Sequence, residues 1–135
     1  MIKMDGDKIT LSKEFLMAKD ENGNTPVHYL AQKRVKEILT LPKELLIIKD
    51  KYGRTPIHWL AEEGVKEILT LDKKLLIIQN DAGWTPIHYL ARGGVEEILK
   101  LPKELLKIKN VWENTPIHLL AEKGIDIPEE LKDLI

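Results

Sequence analysis

A period of 30 residues governs this chain. "TPVH" begins at Thr25, and "TPIH" begins at Thr55, Thr85 and Thr115. The stretches between them repeat as well: "VKEILTLPKELLIIKDKYGR" from Val35, "VKEILTLDKKLLIIQNDAGW" from Val65 and "VEEILKLPKELLKIKNVWEN" from Val95. Near the N-terminus, "ITLSKEFLMAKDENGN" from Ile9 matches "LTLPKELLIIKDKYGR" from Leu39. One unit of this size cannot bury its apolar side alone, whereas stacked units share a continuous core. The chain therefore reads as one repeat domain spanning residues 1–135. Residues 1–24 form an N-terminal partial, capping unit, residues 25–54, 55–84 and 85–114 form full repeats, and residues 115–135 form a C-terminal capping unit.

Each unit parses into elements. Threonine is a good helix N-cap, and proline at the first helical position lacks an N–H that would have no partner anyway. "TPIHWLAEEG" therefore predicts a helix, here called helix A. Gly64, Gly94 and Gly124 end it, because glycine takes the left-handed conformation cheaply. Arg34 holds that place in the first unit. Val65, Ile68 and Leu69 form an i, i+3, i+4 stripe that predicts a second helix, B, directly after helix A. Ser12, Pro42, Asp72 and Pro102 then suit a fresh helical start, so "PKELL" predicts a separate short turn of helix. Asp50 and Gly53 suit positions i and i+3 of a type I turn. In the last unit Pro128 stands where Ile98 stood, which breaks helix B and leaves "PEELKDLI".

The motifs "DKYGRTPIHWLAEEG" (Asp50 to Gly64) and their copies resemble the ankyrin repeat, from about Ile9 to Gly124. That resemblance implies an all-α helix-turn-helix solenoid with protruding β-turn tips. The unit is shorter than the family's ~33 residues, with "LPKELLII" in place of the usual Gly-Ala loop. Leu30, Leu60, Leu90 and Leu120 replace the family's usual alanine. The resemblance also implies that His28, His58, His88 and His118 bond the cap threonines Thr25, Thr55, Thr85 and Thr115 and a neighbouring loop carbonyl, which is a structural role. It further implies a concave binding face made of turn tips and the exposed side of helix A.

Other chemistry finds little footing. Histidines one unit apart would lie ~8–10 Å from one another, whereas two zinc-binding nitrogens must each approach the ion to ~2.0–2.1 Å. Thr85 and His88 do not read as a catalytic pair, because the threonine is occupied as a cap and no third orienting group recurs. The equivalents of Asp50 are Asp20, Asn80 and Asn110, an exchange that a turn tolerates and a general base does not. The pair Gly93-Gly94 reads as a helix end, and Lys33, Arg34 and Lys36 as a solvated one. No enzyme activity, cofactor or metal is expected. Lys+Arg is 21 against Asp+Glu 22, a balance that favours neither nucleic acid nor an anionic membrane. No cysteine is present, so no disulfide or thiolate site exists. No apolar run nears the ~18 residues of a membrane span, and "MIKMDGDKITL" has no signal-peptide core. A cytoplasmic monomer is the expectation.

Framework letters recur almost unchanged while other positions vary. Around the turns these are Glu21, Asn22 and Asn24; Lys51, Tyr52 and Arg54; Asp81, Ala82 and Trp84; Val111, Trp112 and Asn114. On helix A they are Gln32, Lys33, Glu62, Glu63, Arg92, Gly93, Glu122 and Lys123. The charges on this face balance, Lys33, Lys51, Arg54, Arg92 and Lys123 facing Glu21, Glu62, Glu63, Asp81 and Glu122. Aromatics and arginine are enriched in interface hot spots. The expected partner-binding residues are therefore Tyr52, Arg54, Glu62, Glu63, Trp84, Arg92, Trp112 and Asn114, with Trp84 and Trp112 side by side in an apolar patch. The partner would be another protein or peptide. The alternative is a stable structural or engineered scaffold, or an assembly module, with no dedicated ligand.

Overall fold

The computed structural model describes Met4–Asp5, Lys8–Ile9 and residues 12–135. The rest of the stretch Met1 to Leu11, part of the N-terminal unit expected from sequence, lies outside the described residues. Strands β1 (Met4–Asp5) and β2 (Lys8–Ile9) pair antiparallel. From residue 12 on, the described residues form helices joined by turns and loops: α1 (Lys13–Met17), α2 (Pro26–Gln32), α3 (Lys43–Leu46), α4 (Pro56–Glu62), α5 (Lys73–Leu76), α6 (Pro86–Arg92), α7 (Lys103–Leu106) and α8 (Pro116–Glu122). The helix A elements pack in series, α2 on α4, α4 on α6 and α6 on α8, with α1 against α2. The chain is thus an all-α repeat whose units contact their sequence neighbours.

Local chemistry explains the helix ends. In α4, Thr55 is extended and its hydroxyl accepts the His58 N–H, while the His58 ring accepts the Thr55 N–H. This is a reciprocal capping box with histidine in the place usually held by Glu or Gln. At the other end Gly64 sits at φ 77°, its N–H donating to the Ala61 carbonyl, and Val65 N–H reaches the Leu60 carbonyl. That pair of bonds is a Schellman closure. Arg34 adopts φ 63° to make the same bonds in the first unit, a conformation that crowds a side chain.

Helix B differs from expectation. It is a five-residue 3₁₀ segment in each full unit: Lys36–Thr40, Lys66–Thr70 and Glu96–Lys100. Two constraints shorten it. The left-handed glycine and the non-helical Val65 (ψ 91°) delay its start. At the far end Leu41, before Pro42, is extended at ψ 159°, the conformation a following proline favours. Too few residues remain for an α-helical ladder, and the tighter 3₁₀ form fits. The apolar stripe still buries Ile38, Ile68 and Ile98 completely. The short α-turns begin where expected, with Ser12 and Asp72 accepting backbone N–H groups of Phe15 and Lys74. In the last unit Pro128 leads instead into a 3₁₀ segment, Glu129–Leu134.

The core runs the length of the stack. Ile57, Leu60, Ile87, Leu90, Ile117 and Leu120 from helix A meet Leu16, Leu46, Leu76 and Leu106 from the short turns. Leu60, Leu90 and Leu120 have no exposed surface, so the larger residue fills space inside the stack. Full burial of each such side chain stabilises by about 1.5–3 kcal/mol.

Candidate functional site

The turns between units are built on Asp50 and its equivalents. One carboxylate oxygen of Asp50 accepts the N–H groups of Tyr52 and Arg54, both at 2.9 Å, while Gly53 N–H donates to the Asp50 carbonyl at 3.0 Å. Asp20, Asn80 and Asn110 repeat the pattern through their own oxygens. An oxygen acceptor is all this turn needs, which is why Asp and Asn interchange. Glu113 takes the glycine position of the last turn at φ 62°.

Neighbouring turns are bonded to each other. Lys51 N–H donates to the Asn22 carbonyl, Asp81 N–H to Tyr52 and Val111 N–H to Ala82, at 2.9–3.0 Å. His28, His58 and His88 each tie their own cap to the next turn. Nδ1 of His58 accepts from Thr55 N–H at 3.0 Å, so the proton resides on Nε2, which donates to the Trp84 carbonyl at 2.9 Å. His28 reaches the Arg54 carbonyl and His88 the Asn114 carbonyl in the same way. Burial lowers the His58 pKa from 6.5 to about 4, only partly offset by the bond to Trp84. His28 and His88 are lowered for the same first reason. A protonated Nδ1 would also face the Thr N–H donor to donor. These neutral, buried rings hold units together. Among the described residues no group of three or more His, Asp or Glu side chains is placed to hold a metal.

One device lay in the sequence unnoticed. The turn carboxylate or amide tethers an aromatic nine residues on: Tyr29 to Asp20, Trp59 Nε1–H to Asp50 at 3.3 Å, and Asn80 Nδ2–H to Tyr89 at 2.9 Å. The Tyr29 hydroxyl bond, helped by backbone N–H groups of Asn24 and Asn22, holds the Asp20 carboxyl below its ordinary range and raises Tyr29. The recurring offset between Asp/Asn and Tyr/Trp was the available signal. In the last unit Leu119 replaces the aromatic, and the buried Asn110 Nδ2 has no partner.

The expected binding residues divide into two groups. Trp84 packs on its own chain. Trp84 is half-buried, its ring 4.9 Å from Tyr89 and 5.7 Å from His88, with the Arg92 guanidinium 4.8 Å over it. It lies back because Tyr89 and Arg92, on the helix that follows it, offer an aromatic face and a cation. Arg54 stacks likewise on Trp59 at 4.9 Å and Tyr52 at 5.1 Å, and pairs with Asp50 at 3.0 Å. Asn114 is committed through its backbone, its N–H to Asn110 and its carbonyl to His88. Tyr52 and Trp112, by contrast, are 54% and 65% exposed. Glu62 and Glu63 meet Arg92 and Arg34 at 3.8 and 3.6 Å across units. Together Gln32, Arg54, Trp59, Glu62 and Glu63 line a groove of about 180 Å³ between successive helix A ends. A second groove, of about 240 Å³, lies between Arg92, Leu119, Glu122 and Lys123.

A scan against protein-family models and a search of curated proteins both find no match for the chain. Among the described residues, no helix is long and apolar enough to cross a membrane.

Proposed function

We propose that the chain is a non-catalytic, ankyrin-type repeat module that grips a protein or peptide along the face formed by its turns and helix A ends. One observation carries this reading: the groove lined by Gln32, Arg54, Trp59, Glu62 and Glu63 is built from positions that differ from unit to unit. The clamp of Thr, His and loop carbonyl beneath it recurs nearly unchanged. A constant frame carrying a varied surface suits recognition of one partner by many small contacts. The groove presents an aromatic face, a guanidinium and two carboxylates, which favours a segment with an apolar anchor and charges of both signs. The packing of Trp84 beneath Arg92 favours a scaffold role for those two residues.

The test pairs binding with stability. Proteins retained by the immobilised chain are identified, and the affinity of a purified one is measured against Tyr52→Ala, Glu63→Ala and Trp84→Ala. Tyr52 and Glu63 lie on the surface, so their removal should leave the thermal midpoint unchanged and weaken binding at least tenfold, about 1.4 kcal/mol. Trp84→Ala should lower the midpoint. Binding that ignores both surface substitutions would refute the assignment of this face.

A further inference from the structure

The end of the stack carries the same recognition groups as every internal junction, with nothing on them among the described residues. At each internal junction the incoming turn supplies a backbone N–H to the preceding turn's carbonyl. Three residues later it supplies a carbonyl to a histidine Nε2–H. Lys51 and Arg54 do this toward Asn22 and His28, Asp81 and Trp84 toward Tyr52 and His58, and Val111 and Asn114 toward Ala82 and His88. By the same register the next pair is the Trp112 carbonyl and the His118 Nε2–H. His118 is oriented for the task like the others, its Nδ1 held by Thr115 N–H at 3.2 Å and by the Thr115 hydroxyl at 2.8 Å. Among the described residues neither the Trp112 carbonyl nor Nε2 of His118 has a partner.

Beside His118 opens a groove of about 390 Å³ lined by Glu113, Asn114, His118, Ala121, Glu122 and Ile135. Two carboxylates stand in that lining and no lysine or arginine does, although Lys109 approaches Glu113 at 4.0 Å in an exposed pair. We propose that this end is a second recognition site, taking a basic, turn-forming peptide segment of another protein. The segment would donate one N–H to Trp112 and accept from His118 three residues on, as the internal turns do. Its cationic side chains would face Glu113 and Glu122. The occupant is fixed by two separate properties: backbone spacing copied from three occupied junctions, and charge complementarity at the lining. A second copy of the chain fits less well. The turn at its own N-terminal end, Asp20–Asn24, carries Glu21 and no lysine or arginine to face these carboxylates.

The chain supplies its own probe. The synthetic peptide IKDKYGRTP, residues 48–56, is the segment seated over His28 in the first junction. Titrated into the ¹⁵N-labelled chain, it should shift the amides of Glu113, Asn114, Ala121 and Glu122, with half-saturation at about 1 mM or below. The charge-reversed peptide IEDEYGETP should bind at least tenfold more weakly. His118→Ala should abolish the shifts. Glu122→Lys, an exposed change that leaves the clamp intact, should weaken them at least threefold with an unaltered thermal midpoint. No shift at these amides, shifts confined to the Gln32–Trp59 groove, or equal binding of the charge-reversed peptide would each overturn the proposal.

Discussion

Mild acid should loosen this protein, and His58 sets the size of the effect. Its ring is buried, accepts at Nδ1 and donates at Nε2, an arrangement that only the neutral imidazole satisfies. Its pKa is about 4 when folded, against 6.5 for an unperturbed histidine. At pH 5 the unfolded ring is then protonated in about 30 of every 31 molecules and the folded ring in about 1 of 11. The unfolded state binds more protons, so stability falls as pH falls. The ratio corresponds to about 2 kcal/mol lost between pH 7 and pH 5 from this ring alone. His28 and His88, lowered in the same direction, add with the same sign. The lowered carboxyls of Asp20, Glu44 and Glu97 lose their contributions only at lower pH, as pH falls through their folded values, so the window above pH 5 isolates the histidines. Urea unfolding followed by circular dichroism at pH 7 and pH 5 measures the difference. A His58→Gln variant should start less stable and lose less over the same interval. A midpoint unchanged between the two pH values, or a His58 ring resonance titrating near pH 6.5, would refute the bonding scheme.

Three further outcomes are expected. Leu119→Tyr should give the orphaned Asn110 Nδ2 an acceptor, as Tyr89 does for Asn80, and raise stability by about 1 kcal/mol. Tyr89→Leu should orphan Asn80 and cost about 1–3 kcal/mol; equal effects in urea unfolding would show that the tether contributes nothing. Arg34→Gly removes a side chain from φ 63° and loses only an exposed ion pair to Glu63, so the thermal midpoint should rise by an amount worth about 1 kcal/mol. Gly83→Ala should cost more than Gly94→Ala, because a methyl at residue 83 meets the Asn110 Cα at 2.9 Å whereas one at residue 94 meets nothing within 4 Å; comparable midpoints would mean the turns are not in close register.

The features legible in the sequence were those whose causes are local. Thr55, Pro56 and Gly64 need only their own backbone to start and stop α4. Asp50 needs only the next four residues to close its turn. The period then multiplied each local reading by the number of units. What escaped depended on groups brought together by folding. Helix B read as a helix from Val65, Ile68 and Leu69, yet its length was settled by a left-handed glycine before it and an extended residue after it. The tether from Asp50 to Trp59 joins a turn to the face of a helix, and periodicity along either one does not reveal it.

Trp84 shows where the boundary falls. From sequence alone, a tryptophan after a turn glycine is an exposed ring available to a partner. In the folded chain the ring of Tyr89 and the guanidinium of Arg92 stand within 5 Å of it, and their attraction outweighs exposure to water. Trp112 has the same chemistry but stands two residues earlier in the turn, at the place of Tyr52 and Ala82 rather than of Trp84, and like Tyr52 it remains exposed. The sequence by itself determined a stack of 30-residue units, their helix ends, their turns and the positions free to vary. Only the tertiary structure decided which of those positions face solvent, because exposure depends on what the neighbouring unit places opposite each side chain.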